Sequence, residues 1–141
     1  MNSMSNVIDD EAGAAAVAEL GGEDHVRYLH CDVRDGVAVE APIDVAEEAF
    51  GPLGVFVNNA GVTRDGLLAR MKEDDFTSVV DTNLTGTYRV VRRAARGMTR
   101  ARFGRIVAIS SVVGLLGSAG QVNYAASKSA MIGLARSVAR E

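Results

Sequence analysis

Tyr124 and Lys128 stand four residues apart, at the start of a segment whose apolar residues Met131, Leu134 and Val138 repeat at helical spacing. That spacing puts both side chains on one helix face. A phenol with a pKa near 10 is a poor proton carrier at neutral pH. An ammonium one turn away favours the phenolate and lowers that pKa. A tyrosine so tuned exchanges a proton with a carbonyl or alcohol oxygen. The hydroxyl pair Ser110 and Ser111 follows the apolar run 105–109, which reads as a buried strand. A serine hydroxyl there can hold and polarise the same oxygen. The carboxyl end of a strand is also where open parallel sheets keep their ligands. Taken alone, Y-x-x-x-K equally describes an exposed pair on a solvated helix, so other parts of the chain must agree.

Several elements can position this group. Residues 55–57 form a continuous apolar triplet, expected to be a strand covered on both faces. The triplet runs into Asn58-Asn59-Ala60-Gly61, where small residues let the backbone approach a ligand; alone, this is an asparagine turn. Helical periodicity continues over 73–100 through Phe76, Val79, Leu84, Tyr88, Val91 and Met98. Asn83 lies near that apolar face and needs hydrogen-bond partners, as a structural asparagine or at a helix irregularity. Gly86 weakens the same region. Upstream, Asp9-Asp10-Glu11 starts a helix that Gly21-Gly22 ends. Residues 25–31 read as a strand with Asp32-Val33 at its end. The next helix, over 37–50, either begins near Pro42 or bends there. Residues 110–120 are glycine-rich and read as a loop.

The length of 141 residues suits one domain. A net charge of −3 gives no electrostatic footprint for nucleic acid. Cys31 is the only cysteine, so no intrachain disulfide forms, and a cytoplasmic setting is expected. No apolar run has the length of a membrane span, and the first residues lack a signal-peptide pattern. His25 and His30 show no ligand spacing, so no metal site is expected. The densest basic run comprises Arg92, Arg93, Arg96, Arg100, Arg102 and Arg105, which reads as a solvated helix face.

In order along the chain, V-F-V-N-N-A-G (55–61), Thr82-Asn83-Leu84, a serine 13 residues before the tyrosine, and Y-A-A-S-K (124–128) resemble the short-chain dehydrogenase/reductase family. The resemblance covers about 9–141. The runs 63–72, 104–114 and 120–128 are most similar to the 3-oxoacyl-acyl-carrier-protein reductases. It implies an α/β fold, a Rossmann-type doubly wound parallel sheet in three α/β/α layers, here incomplete. Residues 1–141 would then be a partial NAD(P)-binding domain. It also implies NADPH-dependent reduction, with NAD as the other donor, of a 3-oxoacyl thioester on acyl carrier protein or coenzyme A.

The same resemblance assigns roles. Tyr124 is the acid, and Ser111, not Ser110, holds the oxygen. Lys128 tunes Tyr124 and contacts the nicotinamide ribose, while Asn83 holds a water of a proton relay. Asp32 and Val33 lie at the adenine, and Asn59, Ala60 and Gly61 line the adenosine side. Asn6 falls near the position that selects the cofactor. A basic surface around Arg102 would meet the acidic carrier protein, and a homo-oligomer would form through the two long helices. The family's glycine-rich turn, T-G-x-x-x-G-x-G, does not precede Asp9, and the chain stops inside or just after the Tyr–Lys helix. A central fragment, with little activity alone, is therefore expected. Two alternatives fit the same residues. One is a family member acting on a small ketone, steroid or sugar alcohol with NAD(P). The other is a non-catalytic truncated remnant.

Overall fold

The computed structural model describes residues 9–22 and 24–141, so Asn6 lies outside the described residues. Helix α1 spans Asp10–Glu19. Its N-cap is Asp9, whose carboxylate accepts the Ala12 N–H at 2.9 Å. The helix ends at Leu20, before Gly21 with φ of 102°. No residue of α1 is buried. Its outer contact is Asp10, whose carboxylate accepts the Tyr28 hydroxyl at 2.6 Å and lies 2.7 Å from His30 Nδ1.

The strand expected over 25–31 does not form. A strand needs a neighbour for its N–H and C=O groups, and among the described residues this segment pairs with no other. Helix α2 spans Glu40–Phe50, which resolves the Pro42 question. The proline sits in the first turn, where its missing N–H removes no helix bond. Val39 and Ile43 are its buried anchors.

Strand β1, Val55–Asn58, pairs in parallel with β2, Arg105–Ala108, in the register Val55↔Arg105 to Asn58↔Ala108. The Ile109 N–H extends the pairing to the Asn58 carbonyl at 2.9 Å. Helices flank this parallel sheet, as expected, but they do not cover β1 on both faces. Val55 and Val57 are more than half exposed, and Val107 is exposed beside them. Period-two alternation turns these three side chains away from the helical layer. The opposite face is the covered one, and there the Asn58 side-chain amide donates to Thr87 Oγ1 at 2.8 Å.

The periodic stretch over 73–100 is not one uninterrupted α-helix. It divides into α3, Glu73–Val80, a π turn over Asp81–Thr85, and α4, Gly86–Ala101. In the π turn the Gly86 N–H reaches back to the Asp81 carbonyl, one residue further than in an α-helix. Helix α4 ends with Arg102 in the left-handed region at φ of 51°, and the Phe103 N–H caps the Met98 carbonyl at 3.1 Å. A one-turn helix α5, Val113–Leu116, interrupts the expected loop, and α6 spans Val122–Val138. Val79 of α3 and Met131 of α6, two helices that pack on each other, and Ala94 of α4, which packs on β1 and α2, are the driest apolar side chains of the core.

Candidate active site

Four pieces of backbone meet where the parallel strands end: the turn after β1, the Ser110–Ser111 step after β2, the π turn, and the first turns of α6. A cavity of about 200 Å³ opens between them, walled among others by Asn59, Gly61, Thr63, Ser110, Tyr124 and Lys128. A larger cavity, about 680 Å³, lies between the ends of α4, β2 and α6. Its walls include Val91, Met98, Leu134 and Arg102 but none of the candidate acid–base residues. The smaller cavity is the candidate site, because among the described residues polar side chains converge there on the strand ends.

Lys128 is 4% exposed, and its ammonium donates to the Ile109 carbonyl at 2.7 Å. Burial pushes its pKa below the usual lysine value. The same nitrogen lies 5.7 Å from the centre of the half-buried Tyr124 ring, so the helical spacing does bring phenol and ammonium together. Ser110 donates its hydroxyl to the Lys128 main-chain carbonyl at 2.7 Å. That bond engages its proton in holding α6. Ser111 is half-buried beside it and accepts the Val113 N–H at 3.2 Å, an arrangement that leaves its own proton for another acceptor. Ser110, not Ser111, is among the cavity's walls.

Asn83 is wholly buried in the π turn. Its Oδ1 accepts the Val62 N–H at 2.7 Å, and its Nδ2 donates to the Val62 carbonyl at 3.0 Å and to Ser127 Oγ at 3.1 Å. The side chain thus grips both polar groups of one loop residue, in the manner of a strand neighbour. Gly61 stands beside it. A Cβ there would come 3.2 Å from Asn83 Oδ1 and 3.5 Å from Lys128 Nζ, so a side chain would close the space next to the ammonium. Ala60 sits between Asn59 and Gly61 in the same turn.

Asp32 and Val33 do not wall this cavity. Asp32 is bound to Arg34 through Nε at 3.0 Å and Nη2 at 2.6 Å, which holds its carboxyl below the usual aspartate value. Val33 packs on the first residue of α4, and its carbonyl accepts from Arg89 at 3.4 Å. The basic run also separates into parts. Arg93 is buried among Glu40, Asp44 and Glu47 of α2, so it is no solvated face, while Arg96 reaches Glu40 at 3.2 Å. Arg102 is exposed.

Pattern reading passed over Ser127, Asn123 and the Ile109 carbonyl. Ser127 is buried and donates to the Tyr124 carbonyl at 2.8 Å, linking Asn83 to the tyrosine's own turn. For the first two the only signal in the sequence was a polar residue on each side of Tyr124, and their burial is visible in the structure alone. The carbonyl carries none, since every residue has one.

Residues 3–141 match the family model described as short chain dehydrogenase. The chain is 46% identical over 131 residues to the 3-oxoacyl-acyl-carrier-protein reductase FabG of Vibrio harveyi, covering 93% of this chain and 53% of that protein. It is 49% identical over 133 residues to the 3-oxoacyl-acyl-carrier-protein reductase MabA of Mycobacterium avium, covering 93% and 52%. With the FabG reductase of Escherichia coli the identity is 40% over 131 residues, covering 93% and 53%. The chain spans about half the length of these curated relatives.

Proposed function

The chain belongs to the short-chain dehydrogenase family, and on that premise we propose that the protein carrying it reduces a 3-oxoacyl thioester to the 3-hydroxyacyl form, with NADPH as donor and acyl carrier protein or coenzyme A as the carrier. The names of the similar proteins support the substrate class. The observation that carries the chemistry is the buried Lys128 ammonium, fixed on the Ile109 carbonyl at 2.7 Å and 5.7 Å from the Tyr124 ring, at a cavity where two parallel strands end.

In this reading the Tyr124 phenol gives its proton to the substrate oxygen. Lys128 stabilises the phenolate that remains, an effect strengthened by its burial. The Ser111 hydroxyl donates to the same oxygen as charge develops there. Asn83 keeps the loop at Val62 in place and belongs to the path that reprotonates Tyr124. When bound, the reduced nicotinamide supplies the hydride for the carbonyl carbon. The space beside Gly61, with Lys128 as donor, fits the ribose end of such a group. Asn59, Ala60, Asp32 and Val33 are assigned to its adenosine side. Arg102 is assigned to the acidic carrier protein.

Tyr124→Phe in the intact protein tests the acid. Turnover should fall about 10²–10⁴-fold while NADPH still binds. Unchanged turnover at neutral pH overturns the assignment. The intact protein is also expected to be a homo-oligomer through α4 and α6, whose shared groove is walled by Tyr88, Val91, Leu134 and Val138. Leu134→Asp should lower its sedimentation mass, and an intact protein that is monomeric at micromolar concentration refutes the interface.

A further inference from the structure

Asn123 precedes Tyr124 in α6 and is wholly buried. Its Nδ2 donates to the Arg64 carbonyl at 2.8 Å and to the Asp75 carbonyl at 3.1 Å. Its Oδ1 accepts the Tyr124 N–H at 2.8 Å. The partners belong to three separate pieces: the loop after β1, the first turn of α3, and the first turn of α6. Gln121, at the N-cap of α6, makes no side-chain bond to the helix. The Tyr124 N–H is one of the first-turn donors that an α-helix leaves without a partner, and Asn123 supplies that partner from inside the turn.

The loop beside the cavity is therefore held from two sides by buried amides. Asn83 grips Val62, and Asn123 grips Arg64. Further contacts join the same two segments, with the Gly66 N–H on the Gly120 carbonyl at 2.8 Å and Gln121 Nε2 on Asp65 Oδ2 at 3.0 Å. The Gln121 bond is exposed, where water competes with it.

We propose that Asn123 is the positioning residue for Tyr124, fixing the turn that carries the phenol against the loop that walls the cavity. The proposal rests on Tyr124 being the acid. Proton transfer requires the phenol within hydrogen-bond reach of the substrate oxygen, and a displacement of about 1 Å can cost about 10²-fold in rate. The amide is the side chain whose donors and acceptor match these three partners. An aspartate keeps the acceptor for the Tyr124 N–H. When ionised, however, it sets oxygen against the carbonyls of Arg64 and Asp75, and only when protonated does it donate to one of them.

The test is steady-state kinetics of the intact protein with NADPH and an acetoacetyl thioester, comparing Asn123→Ala and Asn123→Asp with the parent from neutral to mildly acidic pH. Asn123→Ala should lower kcat about 10²-fold and leave KM within about threefold. For Asn123→Asp, kcat relative to the parent should recover as pH falls, because its carboxyl regains a donor. A purely space-filling role gives no such recovery. Amide hydrogen exchange at Tyr124, measured without cofactor, should be faster in Asn123→Ala, which removes the acceptor, than in Asn123→Asp, which keeps it. A folded Asn123→Ala protein with parental kcat overturns the proposal. So does an Asn123→Asp deficit that is flat with pH. If Asn123→Ala does not fold, the pH profile of Asn123→Asp decides. The Tyr124→Phe protein separates the two layers of inference. Its inactivity beside an active Asn123→Ala removes only the positioning role, whereas its full activity removes the acid on which that role rests.

Discussion

At the strand ends, Asn83, Asn123, Ser127 and Lys128 are at most 4% exposed, and each side chain hydrogen-bonds a main-chain group, distant in sequence for Asn83, Asn123 and Lys128 and within α6 for Ser127. Around α1, Asp10, Tyr28 and His30 also hydrogen-bond, as do Asp32 and Arg34, but these contacts are at the surface. The bond lengths are similar in the two regions. What differs is the alternative open to each group. A buried amide that loses its partner has nothing, whereas a surface carboxylate has water. The first region is therefore specified by its polar contacts and the second merely decorated by them.

Four substitutions can break or sharpen that contrast. The largest stability loss is expected from Asn83→Ala, which strips the Val62 N–H and carbonyl of their partner. About 2–4 kcal/mol should disappear from the urea-unfolding free energy, and a loss under about 1 kcal/mol would show that water replaces the amide. Arg93→Met comes next. Arg93 is buried, but its carboxylate partners Glu40 and Asp44 reach water, so the loss should be about 1–2 kcal/mol rather than that of a fully buried pair. A third test uses pH. Burial lowers the folded-state pKa of Lys128, so between that value and the ordinary lysine value the unfolded chain holds a proton that the folded chain has released. Stability should therefore rise with pH through this window, by at most about 1.4 kcal/mol per pH unit, with the full penalty present below it. Lys128→Met should flatten this slope, and an unaltered slope would assign it to another group. The smallest effect is expected from Tyr28→Phe. Asp10 holds the Tyr28 phenol pKa up at about 12, yet the pair is exposed and the unfolding midpoint should barely move. A clear drop would place α1 among the specified parts of the molecule.

The same contrast explains what was legible in the sequence. Tyr124 and Lys128 were legible because helical spacing alone fixes a shared face. The strands at 55–57 and 105–109 were legible as apolar runs ending in small polar residues, while their parallel arrangement was legible only through the family resemblance. The strand over 25–31 was misread, because β-propensity describes side chains while a strand exists only by virtue of its neighbour. The cover on Val55 and Val57 was misread for a related reason: an apolar residue states a preference for burial without supplying a partner. Of the π turn, only an irregularity at Asn83 and a weak point at Gly86 were legible, since nothing in the side chains of 81–85 specifies where the ladder widens. Asn123 stood in plain view beside Tyr124, but its partners Arg64 and Asp75 are about fifty residues away and bind through main-chain groups that no sequence distinguishes.

The π turn also acts as a gear between two sets of teeth. Upstream of it, Val79 keys α3 into the core; within it, Asn83 meshes with Val62; downstream, Arg93 meshes with the carboxylates of α2. Each residue of an α-helix advances the phase by about 100°. Deleting a single residue within 81–85 and letting the ladder close as a plain α-helix would thus preserve either tooth but not both. The helix could keep Asn83 on its loop and swing Arg93 away from α2, or keep the ion cluster and turn the amide out of the site. The cavity at the strand ends and the packing of α2 are separate in space, yet they share one phase setting, and the length of this segment is as much a part of the site as any side chain in it.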